Sequence, residues 1–184
     1  MKEYEKKVFA IGPVQMFDEQ MEIGGRQVPY FRNDFFSQVN LHIMDMIKKT
    51  QHAPEDAEVI LLTCSGTGAM ESALANAFDK DDRLLVIDGG SFGHRFTQMC
   101  ALYGIPYKPV ELAYGQVLTA SMLEEAAKDF EPTGLLVNLH ETSTGQLYDR
   151  CMLSAILQKA QRSACCRCHF RLSGRSNRHG KRRN

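Results

Sequence analysis

The 184-residue chain has no tryptophan, and its last 24 residues carry no acidic side chain. No apolar run approaches the roughly 18 residues that a membrane-spanning helix needs, so no membrane partner is expected. The opening MKEYEKKVFAIGPV mixes charges of both signs with one short apolar stretch and does not read as a cleavable signal. The expected compartment is the cytoplasm, where the six cysteines would be reduced thiols. Cys64, Cys100 and Cys151 stand singly in apolar surroundings, which predicts buried structural thiols. Two phosphate signatures are also missing. The nucleotide-hydrolase loop GxxxxGK[ST] lacks its lysine, and the dinucleotide fingerprint GxGxxG is unmet.

What is present is ordinary for a globular protein: 43% hydrophobic and 24% charged residues, in a chain long enough for one domain with a core. The formal net charge of zero conceals an asymmetry. Residues 1–160 hold 14 Lys and Arg against all 22 Asp and Glu, and residues 161–184 hold the other 8 basic residues. A shift that abrupt marks a boundary or a second origin.

Between residues 58 and 160 the pattern alternates strand and helix. AEVILLT (57–63), RLLVID (83–88), IPYKPVEL (105–112) and GLLVNLH (134–140) are the strand candidates, the third placed near an edge by Pro106 and Pro109. Helices are predicted after CSGTG, over HRFTQMCALY with a stop at Gly104, over TASMLEEAAKDF with Thr119 as N-cap, and near 151–161. ETSTGQL is predicted to be a loop. Continuous apolar strands separated by helices indicate an α/β fold, a mostly parallel sheet flanked by helices on both faces. Residues 1–33 read as an extended arm with turns at Gly12-Pro13 and Gly24-Gly25. In 34–50, Phe35, Val39, Ile43, Met46 and Ile47 line one helix face, predicted to be core.

Ligands of open parallel sheets bind at the carboxyl ends of the strands. Three loops rich in Gly, Ser and Thr are predicted there: CSGTG, GGSFGHR and HETSTG. SGTGAM (65–70) joins a strand to a helix with small residues, so free amides plus the hydroxyls of Ser65 and Thr67 suit a phosphate, while a plain capped helix start is the alternative. In GGSFGHR, Phe92 could stack on a flat heterocycle or fold back into the core. HETSTG sets hydroxyls beside His140 and Glu141, or is an ordinary turn that caps the next helix.

Taken together, SGTGAMES, VIDGGSFGHRF and NLHETSTGQLYD, in this order and spacing, resemble the class V pyridoxal-phosphate aminotransferases, in particular alanine–glyoxylate, serine–pyruvate and 2-aminoethylphosphonate–pyruvate transaminases. IGPV followed by YFR resembles that group's N-terminal arm. The resemblance covers about residues 8–160. It implies fold type I, a pyridoxal 5′-phosphate cofactor, an amino acid and a 2-oxo acid as substrates, no nucleic acid, and a homodimer. Carried over residue by residue, it implies that Ser65, Gly66 and Thr67 hold the cofactor phosphate, Phe92 stacks on the pyridine ring, and Thr142 contacts the cofactor near its phenolic oxygen. His140 and Glu141 flank that contact; the chain shows HET where many relatives show HxE. Residues 34–160 then form the N-terminal half of the cofactor-binding large domain.

Cysteine desulfurases share this fold and are the rival reading, but they usually place His where Phe92 stands. The family's Schiff-base Lys and pyridine-pairing Asp follow the third loop and are unmatched here. No catalytic or metal residue is therefore assigned, and the chain is expected to be inactive alone. The alternative is a non-catalytic fragment that binds the phosphate or the cofactor.

The ending QRSACCRCHFRLSGRSNRHGKRRN has three readings. Shifted by one base, its codons permit KGLLVVDAISGFLADPIDMEN, an apolar strand ending in Asp, which predicts an out-of-frame tail. Cys165, Cys166, Cys168 and His169 as a zinc site would crowd four ligands into five residues, against the usual separated pairs. An Arg-rich nucleic-acid arm would lack an accompanying fold.

Overall fold

The computed structural model describes residues 8, 9, 12 and 14–160. The tail of 161–184, with its zinc, nucleic-acid and frame-shift readings, lies outside the described residues, as do Ile11 and Pro13 of IGPV. The described residues fall into two compact units, one reaching Leu61 and the other beginning at Leu62.

In the first unit, α1 (Asp18–Gly24) interrupts what the sequence predicts as an extended arm. Gln20 Oε1 accepts the Phe17 amide at 3.1 Å and so stabilises this short helix start. The longer α2 (Asp34–Thr50) is capped by Asn33, whose Oδ1 accepts the Phe36 amide at 2.8 Å. The predicted core face of α2 is not buried: Phe35 and Met46 are exposed, and Val39, Ile43 and Ile47 are half-buried. Two helices offer too little apolar surface to enclose that stripe.

The second unit holds the remaining elements: α3 (Gly66–Ala77), β1 (Leu84–Asp88), α4 (Ser91–Tyr103), β2 (Tyr107–Glu111), α5 (Ala120–Lys128), β3 (Gly134–Leu136), β4 (His140–Glu141), β5 (Gln146–Leu147) and α6 (Arg150–Ala160). Strands β2, β1 and β3 form a parallel sheet in that order. The proline-bearing β2 lies at an edge, where Pro109 costs no ladder bond on its open side.

Alternation along β1 builds two cores. Leu84 and Val86 pack with Met70, Leu74, Phe96 and Cys100 of α3 and α4. Leu85 and Ile87 pack with Leu123 of α5 and with Leu153 and Ile156 of α6. A strand buried on both faces reads as a continuous apolar run, which is why RLLVID was legible. Gly104 ends α4 at φ +67°, in the left-handed region where a side chain would be strained. Thr119 caps α5 as predicted, with Oγ1 accepting the Met122 amide at 3.4 Å.

Three expectations are corrected. Residues 57–63 form no strand: Ile60, Leu61 and Leu62 are exposed, and none of the strand pairings among the described residues involves 57–63. Apolar β-branched composition makes a strand only where an edge is available to pair with it. The loop ETSTGQL is instead a hairpin, with β4 and β5 pairing antiparallel. Of the three cysteines only Cys100 is buried, its thiol pushed up to about 12 by burial; Cys64 and Cys151 are exposed.

Candidate functional site

β1 ends at Asp88, and Gly89-Gly90 turns the chain directly into α4. The first three amides of a helix have no partner within it. In α4 all three are satisfied by side chains from the β4–β5 hairpin. The Glu141 carboxylate is completely buried; its Oε2 accepts the Gly93 amide at 2.9 Å and its Oε1 the Phe92 amide at 3.3 Å. Ser143 Oγ accepts the Ser91 amide at 2.9 Å and donates to Glu141 Oε1 at 2.6 Å.

Burial pushes the Glu141 pKa up. The hydrogen bonds from the Ser143 hydroxyl and from the Gly93, Ser143 and Phe92 amides outweigh it and hold the carboxyl below the usual carboxylate range. The positive end of the helix dipole favours the same ionised form. A Cβ at Gly90 would lie 2.7 Å from Glu141 Cγ and Cδ and would also strike Ser143 Oγ, so this latch closes only over glycine.

The start of α3 is built differently. Ser65 is the N-cap, and its Oγ accepts the Gly68 amide at 3.1 Å. The amides of Gly66 and Thr67 have no partner among the described residues. Ser65 and Gly66 are exposed, and the space where a Gly66 side chain would stand is open. Arg95 ties this end to α4: its guanidinium donates to Thr67 Oγ1 and lies 5.1 Å from the centroid of the Phe92 ring. Phe92 is half-buried and packs against the α3–α4 core.

Thr142 follows Glu141 in the hairpin, half-buried, with a hydroxyl that has no hydrogen bond among the described residues. His140 is exposed, and its side chain contributes nothing to the latch. An open groove of about 350 Å³ runs past Asp88, Gly90, Ser91, His94 and Thr144. His94 Nδ1 pairs with Asp88 Oδ2 at 2.9 Å on its wall. The buried Tyr148 hydroxyl lies against Gly89 and has no hydrogen-bond partner among the described residues, its pKa pushed up to about 12 by burial and by the charges of Glu141 and Asp88.

The structure therefore brings Thr67 and Phe92 to one guanidinium, and the Phe92 amide to the carboxylate of Glu141, the residue before Thr142. Sequence reasoning missed Arg95 and Ser143 and left Glu141 without a role. Their partners lie 28, 52 and 48 residues away, and no local spacing encodes such pairs.

Comparison with known proteins accords with this architecture. Residues 19–166 match the family model described as aminotransferase class I and II. The L-aspartate–glyoxylate aminotransferase of Paracoccus denitrificans is 28% identical over 160 residues, 85% of this chain and 40% of that protein. The 2-aminoethylphosphonate–pyruvate transaminase of Pseudomonas putida is 29% identical over 113 residues, 61% of this chain and 31% of that one. The aspartate aminotransferase of subgroup IV from Thermus thermophilus superposes with a TM-score of 0.73 at 28% identity, over 83% of this chain and 42% of that one. This chain spans less than half the length of the curated relatives it matches. The fold is that of the fold type I transferases, and the resemblance to pyridoxal-phosphate aminotransferases is borne out. With a matching family model over most of its length and a shared sheet architecture, the chain belongs to the class I and II aminotransferases, a family that works with pyridoxal phosphate.

Proposed function

We propose that this chain is the cofactor-phosphate-binding part of a class V transaminase, one that moves an amino group from an amino acid to a 2-oxo acid. One observation carries the reading. Of the two helix starts joined by Arg95, that of α4 is already filled by the Glu141 carboxylate, while that of α3 keeps two amides and two hydroxyls for an outside anion. A phosphate monoester fits that donor set.

In this reading Ser65, Gly66 and Thr67 hold the phosphate of pyridoxal 5′-phosphate. Phe92 offers a ring face to the heterocycle, and the free hydroxyl of Thr142 reaches its phenolic oxygen. The cofactor, when bound, supplies the electron sink for bond breaking at the amino-acid carbon. The described residues bind and orient: Glu141 fixes the backbone that carries Phe92, and Gly90 lets the latch close. Residues 34–160 are read as the N-terminal half of the large domain, working in a cytoplasmic homodimer. Among the described residues no helix is long and apolar enough to cross a membrane.

The test is equilibrium binding of pyridoxal 5′-phosphate to the 184-residue chain. Saturable binding that inorganic phosphate displaces, and that a Ser65→Ala/Thr67→Ala double variant weakens by roughly tenfold or more, is expected. Binding indifferent to both phosphate and the double variant would refute the assignment.

A further inference from the structure

Arg95 is an exposed cation with an unusual set of neighbours. Its guanidinium donates to the hydroxyl of Thr67 and lies 5.1 Å from the centre of the Phe92 ring. Among the described residues no carboxylate stands within ion-pairing distance of it. A guanidinium carries five donors in a planar fork that matches phosphate oxygens two at a time. Here the fork is spent on one neutral hydroxyl and one ring face. The charge stays uncompensated beside two amides, those of Gly66 and Thr67, that also lack partners.

From this juxtaposition we propose that Arg95 is the specificity-determining cation of the site: it pairs with the phosphate of a phosphorylated pyridine ligand and so separates that ligand from its dephosphorylated form. The inference rests on the reading of Ser65–Thr67 as the phosphate loop. Contact with Thr67 keeps the fork at that loop. The guanidinium carbon also lies over the Phe92 ring, so less side-chain freedom remains to be lost on binding. Two neutral amides and two hydroxyls can orient a phosphate but cannot offset its charge. Arg95 supplies that charge without a buried ion pair, because it already stands at the surface.

The experiment uses the full chain and ligands that lack the aldehyde, so that lysine adducts do not intrude: pyridoxine 5′-phosphate and inorganic phosphate. Affinity for pyridoxine 5′-phosphate is measured directly, and inorganic phosphate is measured by displacement. Arg95→Gln should weaken both on the order of tenfold or more, and Arg95→Lys should recover much of the loss for both. Wild-type binding should weaken with added salt, and Arg95→Gln binding should weaken much less. Because the side chain is exposed, the melting temperature of both variants should match the wild type.

Unchanged or tighter binding by Arg95→Gln would mean that the guanidinium only covers the ring, and would overturn the proposal. Equal loss in the Gln and Lys variants would also overturn it, since charge would then not be the operative property. If Ser65→Ala/Thr67→Ala weakens binding while Arg95→Gln does not, the phosphate-loop reading stands and the role of Arg95 fails. If the wild-type chain binds neither ligand, both fail.

Discussion

Helices α3 and α4 begin side by side on one face of the same sheet, yet their N-termini are in opposite states. At α4, three amides find three protein acceptors, and the carboxylate that supplies two of them is fully buried. At α3, one amide is capped by Ser65, and those of Gly66 and Thr67 have no partner among the described residues. Both ends carry the same partial positive charge. The difference is that one has been neutralised by the chain and the other has not. A helix start indicates a ligand only when the chain itself has not answered it.

The comparison can be broken at its stronger side first. Glu141→Ala removes the acceptor of two α4 amides and of the Ser143 hydroxyl, leaving donors unsatisfied in the interior. We expect a loss of about 3 kcal/mol in urea unfolding, with Glu141→Gln between this variant and the wild type. Gly90→Ala forces a methyl into the Glu141 side chain and should cost roughly 2 kcal/mol.

Acid sharpens the same contrast. The folded Glu141 carboxyl lies below its unfolded value, so the unfolded chain takes up its proton first. The stabilisation is complete above the unfolded value, about 4.3, and is lost as pH falls through the folded one. The urea midpoint of wild type should therefore fall between about pH 5 and about pH 3 more steeply than that of Glu141→Gln. Equal slopes would place the acid sensitivity elsewhere. At the α3 end the effect on stability is the smallest: Ser65→Ala loses one cap bond and should cost about 1 kcal/mol.

Much of this was legible in the sequence, and the reason is local. The apolar run of β1, the Gly104 stop, the Thr119 cap and the Ser65–Gly66 helix start each depend on residues within a turn or two. The edge position of β2 followed from its prolines. The α4 latch was not legible, because Glu141 reads as one acidic residue in a polar loop until the fold carries it to amides some fifty positions earlier. The reverse error came at 57–63, where composition indicated a strand but pairing decides. It came again at Phe35 and Met46, where helical spacing was correct and nothing in that unit encloses the face.

The Glu141 latch has one more consequence. It grips the main-chain amides of Phe92 and Gly93 and makes no demand on the side chain at position 92. The anchoring of that position is thus separated from its chemical identity. Other aromatic or imidazole side chains could be exchanged there while the backbone beneath stays fixed, so the site could be retuned by single substitutions without first surrendering its foundation.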